Sequence, residues 1–419
     1  MNRSPRSNVR RLAIGRLISV TGGAAAYTAL MFTVWERTHS APLQSLTLLL
    51  TFGVVGILSP LTGQLGDRFD RRIVMIIAES LAATLFFTMA FADAPRVLIG
   101  LAFLSAMAES PFWSASGAAI PNLVEREEDI AWANSLLGLG RNAGIMIGPM
   151  IGGVLIAVFG PSQVGWVFAI NGVTFVVSIL LTFSVRGSYG RERSAEDDEE
   201  HQGLGAGMRF LWAEPVMRRM TVAWLVFLLG AGMGMVADAP LAESFGAGST
   251  GFGLLIACWG GGSVLGSLLG RKLTARSEPM WLVLGAAGIA LGHLGVGLAP
   301  LFALVLASGL LMGTSDGLTI VAETGMMQRR TPDAVRSRTM AAFEAVLSLG
   351  LAIAYVFAGP VLKAVGPQRV YLLGGIAATV ATLVLVPLLR TAREEQVEDL
   401  GSVAGPEILG TIAAPPDLG

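Results

Sequence analysis

The chain is poor in charge. Asp, Glu, Lys and Arg make up 14% of its 419 residues, where a soluble domain carries about 25%. A soluble fold of this length would lack the charged groups to cover its surface. Cysteine is almost missing. Cys258 stands alone, so no disulfide can close within the chain. Its apolar neighbours give the expectation of a small buried residue. With three His and one Cys there is no metal-ligand spacing. No Gly-x4-Gly-Lys-Ser/Thr phosphate loop occurs, which argues against ATP-driven work by this chain alone. There is no nucleophile elbow and no basic patch interleaved with aromatics. The expectation is a chain that is not an enzyme, holds no cofactor or metal and binds no nucleic acid.

What is present is apolar and small. Apolar residues form 53% of the chain, Gly contributes 53 positions, and the mean hydropathy is +0.65. Many glycines and long apolar runs suit helices packed in lipid. A spanning helix needs about 20 mostly apolar residues. Twelve runs meet this: 12–35, 44–64, 73–93, 96–119, 132–159, 164–185, 217–240, 251–270, 280–299, 301–322, 339–362 and 368–390. The first is too long for a signal peptide and is followed by eleven more, so it reads as an uncleaved helix.

Twelve spans place both termini on one side. If that side is cytoplasmic, 23 of the 29 basic residues fall in inside segments and 4 in outside segments. The bias predicts cytoplasmic termini. The remaining two, Arg16 and Arg141, lie within spans. The longest connection, 186–216, carries the acidic run Glu196-Asp197-Asp198-Glu199-Glu200, followed by a short interfacial helix around 207–212. The tail from Thr391 has no apolar period and is expected to be disordered.

The chain also repeats itself at an offset near 206. Gly160-Pro161-x-x-Val164 recurs as Gly366-Pro367-x-x-Val370, and Arg10-Arg11 recurs as Arg218-Arg219. Two six-helix repeats joined by a long loop are the plan of a rocking transporter. The expected division is 1–185, a central loop 186–216, a second half 217–390 and a tail 391–419.

Two local motifs stand out. Between spans two and three lies Gly63-Gln64-Leu65-Gly66-Asp67-Arg68-Phe69-Asp70-Arg71-Arg72. Its glycines permit close helix approach, and its arginines anchor the loop. Span five carries Gly140, Gly144, Gly148, Pro149, Gly152 and Gly153. Small residues every four positions make a flat packing face, and Pro149 is expected to bend the helix. The loop resembles the Gly-x-Leu-Ala-Asp-Arg-x-Gly-Arg-Arg motif of the major facilitator superfamily. Gly63, Leu65, Asp67, Arg68, Arg71 and Arg72 match, while Gly66 replaces Ala and Asp70 replaces the second Gly. The span-five run resembles the motif of drug–proton antiporters in that superfamily, where it is associated with export.

The resemblance implies a fold of twelve helices in two repeats. It implies that Asp67 helps hold the halves together on the cytoplasmic side. Gly15-Arg16-Leu17-Ile18-Ser19, Ile120-Pro121-Asn122-Leu123-Val124 and Ala133-Asn134 are similar to the branch with macrolide efflux pumps and the enterobactin exporter. That branch often has an acid where this chain has Gly23.

Ionisable groups inside spans are rare and usually functional. Arg16, Glu79, Glu109, Arg141, Asp316 and Glu344 fall there, with Asp238 and Glu323 near span ends. In the superfamily fold spans one, four, seven and ten line the central cavity. Glu109 is in span four and Asp316 in span ten, at nearly equivalent positions of the repeat. Both are candidates for the coupling proton. A Glu109–Arg141 pair and an Asp316–Arg16 pair are the structural alternatives. Glu79 and Glu344 read more readily as structural, as does His293. The expected function is proton-coupled efflux of drug-like amphiphiles from a prokaryote's cytoplasmic membrane, with the chain working as a monomer. Export of an endogenous metabolite or siderophore is the alternative. A non-transporting sensor or scaffold is the alternative of another class.

Overall fold

A computed structural model describes residues 5–55, 69–124, 127–185, 203–332 and 335–390. Gly63, Leu65, Gly66, Asp67 and Arg68 of the loop motif lie outside the described residues, as do the acidic run 196–200 and the tail. The described residues contain helices and no strands. In the first half these are α1 (Pro5–Thr38), α2 (Ala41–Leu48, continued as a π-helix over Leu49–Val54), α3 (Arg71–Met89), α4 (Pro95–Ala118), α5 (Glu127–Phe159) and α6 (Gly165–Ser184). In the second they are α7 (Gly203–Ala213), α8 (Pro215–Ala231), α9 (Gly234–Ser244), α10 (Gly248–Gly270), α11 (Glu278–Leu298), α12 (Phe302–Arg330), α13 (Arg336–Val365) and α14 (Pro367–Leu385).

Eleven helices among the described residues are long and apolar enough to cross a membrane, with α8 and α9 counted as one interrupted span. The shorter apolar stretch Ala41–Val54 stands where the second span is expected. The architecture is an all-α, multi-pass membrane bundle. The helix found at 203–213 covers the expected interfacial segment.

Local chemistry explains several boundaries. The Asp70 carboxylate accepts hydrogen bonds from the backbone N–H groups of Arg72 (2.9 Å) and Ile73 (3.1 Å). Asp70, which departs from the superfamily motif, is thus the N-cap of α3. The repeated Gly-Pro turns are the same turn. Gly160 has φ 68° and leads into Pro161, which opens a 3-10 turn ahead of α6, and Gly366 has φ 83° and leads into Pro367, which opens α14. The left-handed backbone calls for Gly, and Pro suits a helix's first position. Pro149 sits inside α5 without ending it. Cys258 is half-buried rather than buried, and it is a free thiol.

The hydrophobic clusters divide by depth. At one end, which carries Arg6, Arg72 and Arg330, the halves keep separate cores. One is built from Val9, Met75, Phe112, Leu137 and their neighbours. The other is built from Leu211, Met217, Leu282, Met326 and theirs. At the opposite end, which carries Trp35 and Arg37, the cores are shared. Phe32, Phe86 and Phe168 pack with Ala239, Ala242 and Phe252. Met31, Ala41 and Leu48 pack with Leu241, Tyr355 and Tyr371. Among the described residues the halves are joined at the Trp35 end and have separate cores at the Arg-rich end.

Candidate transport site

The span-five glycines explain how α5 holds two neighbours. A Cβ on Gly148 would lie 2.5 Å from Ala24 Cβ and 2.7 Å from the Thr21 carbonyl oxygen. One on Gly152 would lie 2.7 Å from the Ala25 carbonyl. Gly140 and Gly144 meet Ala13 and Val20 in the same way. These four positions make one face seated on α1. Gly153 points elsewhere, against Gly253 and Ala257 of α10 in the other half. The motif therefore tightens the first half and also joins it to the second.

Arg16 on α1 and Arg141 on α5 converge on Trp113 of α4. The Arg16 guanidinium lies 4.4 Å from the indole centroid and that of Arg141 5.5 Å. They are close enough to repel each other. Neither makes an ion pair with Glu109 or Asp316 among the described residues. Glu109, one turn before Trp113, accepts instead from Ser105 Oγ at 3.3 Å. It is within electrostatic reach of Tyr27 and Glu79. Glu79 is fully buried and is held by the Ser178 hydroxyl at 2.5 Å.

Asp316 on α12 is half-buried beside the buried Ser263 of α10, whose hydroxyl faces its carboxylate. Two turns further along α12 sits Glu323, which feels both Asp316 and Glu344 of α13. Glu344 itself is exposed. The candidate acids thus fall into two groups, one in each half. The sequence reading placed Glu323 near a span end, yet its spacing of seven from Asp316 puts both on one helix face.

Arg71 and Arg72 are described. Arg72 donates to the Phe183 carbonyl at 2.5 Å, tying α3 to the end of α6. His293 is buried, with Nδ1 2.9 Å from the Ile289 carbonyl and its ring against Phe227 and Tyr371. Asp238 on α9 accepts from the Tyr371 hydroxyl of α14. Sequence reasoning missed the contact of Trp35 and His39 with Glu243. All three lie beyond or at the ends of the apolar runs, where no periodicity marks them. No group of His, Cys, Asp and Glu among the described residues could hold a metal ion.

The model of the Major Facilitator Superfamily matches residues 12–241 and 232–410. The enterobactin exporter EntS of Shigella boydii serotype 4 (strain Sb227) is 26% identical over 337 residues, 78% of this chain and 79% of the relative. The enterobactin exporter EntS of Escherichia coli O1:K1 / APEC matches at the same identity and coverage. Among solved structures, a POT family transporter in complex with a thioalcohol-conjugated peptide aligns with TM-score 0.70 and 11% identity, over 92% of this chain and 96% of that one. A bacterial homologue of the human lysosomal transporter Spinster aligns with TM-score 0.68 and 14% identity, over 93% and 98%. With the family model matched across both halves of the bundle, the chain belongs to the major facilitator superfamily.

Proposed function

We propose that this chain exports a small amphiphilic molecule by proton-coupled alternating access. The observation that carries the reading is the asymmetry of the cores: shared at the Trp35 end, separate at the Arg-rich end. A bundle joined at one end only is half of a rocking cycle. With the Arg-rich end and both termini in the cytoplasm of a prokaryote, it is the inward-open half. Residues 1–185 and 217–390 are the two rocking bodies, and 186–216 is their tether. Gly63, Asp67, Arg68, Arg71 and Arg72 serve the cytoplasmic gate, which forms when the inner end closes. A carboxylate inside the bundle is neutral with its proton and charged without it, a difference that a membrane interior reads strongly. Glu109 and Asp316 are such groups, and neither is locked in an ion pair with a described residue. The chain works as a monomer, since both halves of the path come from one copy.

A second reading concerns the cargo. Relatives named as enterobactin exporters favour a natural metabolite or siderophore over a drug. The test uses a bacterium stripped of its own exporters, with and without this chain. Secreted small molecules are compared by mass spectrometry, and sensitivity to a varied antibiotic panel is measured. Chain-dependent secretion or resistance that a protonophore abolishes supports the reading, and its chemistry decides between metabolite and drug. No chain-dependent change in either assay refutes export.

A further inference from the structure

Arg16 and Arg141 pose an electrostatic problem inside the bundle. Arginine keeps its charge in proteins, and a cation within the membrane needs a counter-charge or hydrogen-bond acceptors. Each guanidinium has five N–H donors, yet neither donates a hydrogen bond or joins an ion pair with any described residue. Arg16 Nε is even shut away from solvent without a partner. What each has is the face of Trp113, at 4.4 Å and 5.5 Å. A cation–π contact contributes about 0.5–2 kcal/mol, and here two like charges share one ring and repel.

A carboxylate is close in sequence but not engaged. Glu109 stands one turn from Trp113 on the same helix and bonds Ser105. The arrangement also has room beside it. Gly23, two turns along α1 from Arg16, is buried, yet a Cβ there would meet nothing within 4 Å. Gly117, one turn past Trp113, is exposed and Gly138, three residues before Arg141, is half-buried, and a Cβ on either would meet nothing within 4 Å. Three helices thus bring two uncompensated cations and an aromatic plate beside unfilled space.

Resting on the transport reading above, we infer that Arg16, Trp113 and Arg141 form an anion subsite, and that the cargo is an organic anion. It carries a carboxylate or sulfonate, whose several oxygens can accept from both guanidiniums, on an apolar body. The anion supplies what the chain withholds: acceptors for two guanidiniums, which bind planar oxyanions bidentately. Trp113 fixes both guanidiniums so that little side-chain freedom is lost on binding. A cationic amphiphile, by contrast, meets two like charges.

The test measures equilibrium binding by purified full-length chain in nanodiscs of zwitterionic lipid, with empty nanodiscs subtracted. The probes are naphthalene-2-carboxylate, its neutral isostere 2-naphthamide and the cation 2-naphthylmethylammonium. Wild type should bind the carboxylate at least tenfold tighter than the amide, and the cation most weakly. Arg16→Gln and Arg141→Gln should each bring carboxylate affinity down to that of the amide. Amide binding unchanged from wild type shows that those variants remain folded. Arg16→Lys, which keeps charge but not the planar fork, should retain part of the preference. Absent carboxylate binding, equal affinity for carboxylate and amide in wild type, or a preference that survives both Gln variants, overturns the subsite. The measurement needs no transport. A preference that holds in a chain that exports nothing refutes export and leaves the subsite standing.

Discussion

The indole Nε1 of Trp35 donates a 2.6 Å hydrogen bond to Glu243 Oε2, joining the end of α1 to the end of α9. The other carboxylate oxygen faces His39 Nε2 at 3.2 Å. His39 has φ 46°, in the left-handed region, and its N–H bonds the Trp35 carbonyl at 2.7 Å. The end of α1 thus curls to bring two side chains onto one carboxylate of the opposite half. A groove of about 680 Å³, lined also by Pro240, Leu362 and Lys363, opens beside them.

The first prediction tests that latch. The His39 and Glu243 side chains are 57% and 50% exposed, so their ion pair is worth at most about 1 kcal/mol. The indole hydrogen bond adds about as much. Glu243→Ala should shift the balance toward opening at the Trp35 end by about tenfold, or about 1.4 kcal/mol. Spin labels on the exposed positions Glu36 and Thr250, in a Cys258→Ser background, would read the distance across the gap. His39→Gln removes one of the two contacts on that carboxylate and should shift the balance in the same direction, by less than Glu243→Ala. An unchanged distance distribution in Glu243→Ala would dismiss the latch.

The second concerns α5. Gly148→Leu drives a side chain into Ala24 and the Thr21 carbonyl, an overpacking that costs about 1–3 kcal/mol. Tm and transport should both fall. Met150 is not a neutral comparison, because its Sδ lies 3.6 Å from the Cβ position of Gly261 on α10. Val154, 49% exposed, is the proper control, and Val154→Leu should change stability by no more than about 0.5 kcal/mol. Equal tolerance at Gly148 and Val154 would mean that α1 and α5 do not touch there.

How much of this was readable beforehand follows from what leaves a period in the sequence. The spans were legible because hydrocarbon forces long apolar runs. The Gly-Pro turns were legible because their backbone at Gly160 and Gly366 calls for the same residue type in both halves. The glycine ladder predicted a contact but not its partners, since small residues state only that something comes close. The Arg16–Trp113–Arg141 cluster joins three helices, and no spacing along the chain encodes a meeting of that kind. The alternative pairings of Glu109 with Arg141 and of Asp316 with Arg16 do not form, and the sequence could not decide them for the same reason. Matching depth does not fix which face of a helix a residue occupies. Residues at span ends, such as Trp35 and Glu243, carry no pattern at all.

The third prediction takes a bond the sequence did not suggest. The Tyr371 hydroxyl donates to Asp238 between α14 and α9, and both belong to membrane-crossing helices. Tyr371→Phe leaves a carboxyl group in the bundle without its donor, at a cost of about 1.5–3 kcal/mol for a bond to a charged group. Asp238→Asn keeps an acceptor for the hydroxyl and should cost less. A double-mutant cycle on Tm should give coupling between the two positions. Additive effects would show that the bond contributes nothing to folding.

The last prediction separates the two candidate coupling acids. Among the described residues Glu109 has one hydrogen-bond donor, Ser105, at a long 3.3 Å. Asp316 has Ser263 beside it and Glu323 within electrostatic range. Among the described residues neither has an arginine partner to hold it charged, which leaves each available for the proposed proton exchange. Asp316 also shares its charge environment with a second acid, so a proton lost from one is felt by the other. Glu109→Gln and Asp316→Asn keep shape and remove titration. In liposomes with an imposed pH gradient, using a compound identified by the export screen, the coupling residue's variant should lose uphill accumulation. It should retain gradient-free exchange, because binding and rocking survive without the proton. A merely structural acid would instead show a lower Tm and lose both activities together. If Asp316→Asn uncouples only partly, Glu323→Gln on that background should complete the loss. If both single variants still concentrate the compound against its gradient, neither acid carries the proton. Glu79, Asp238 and Glu344 then become the groups to test.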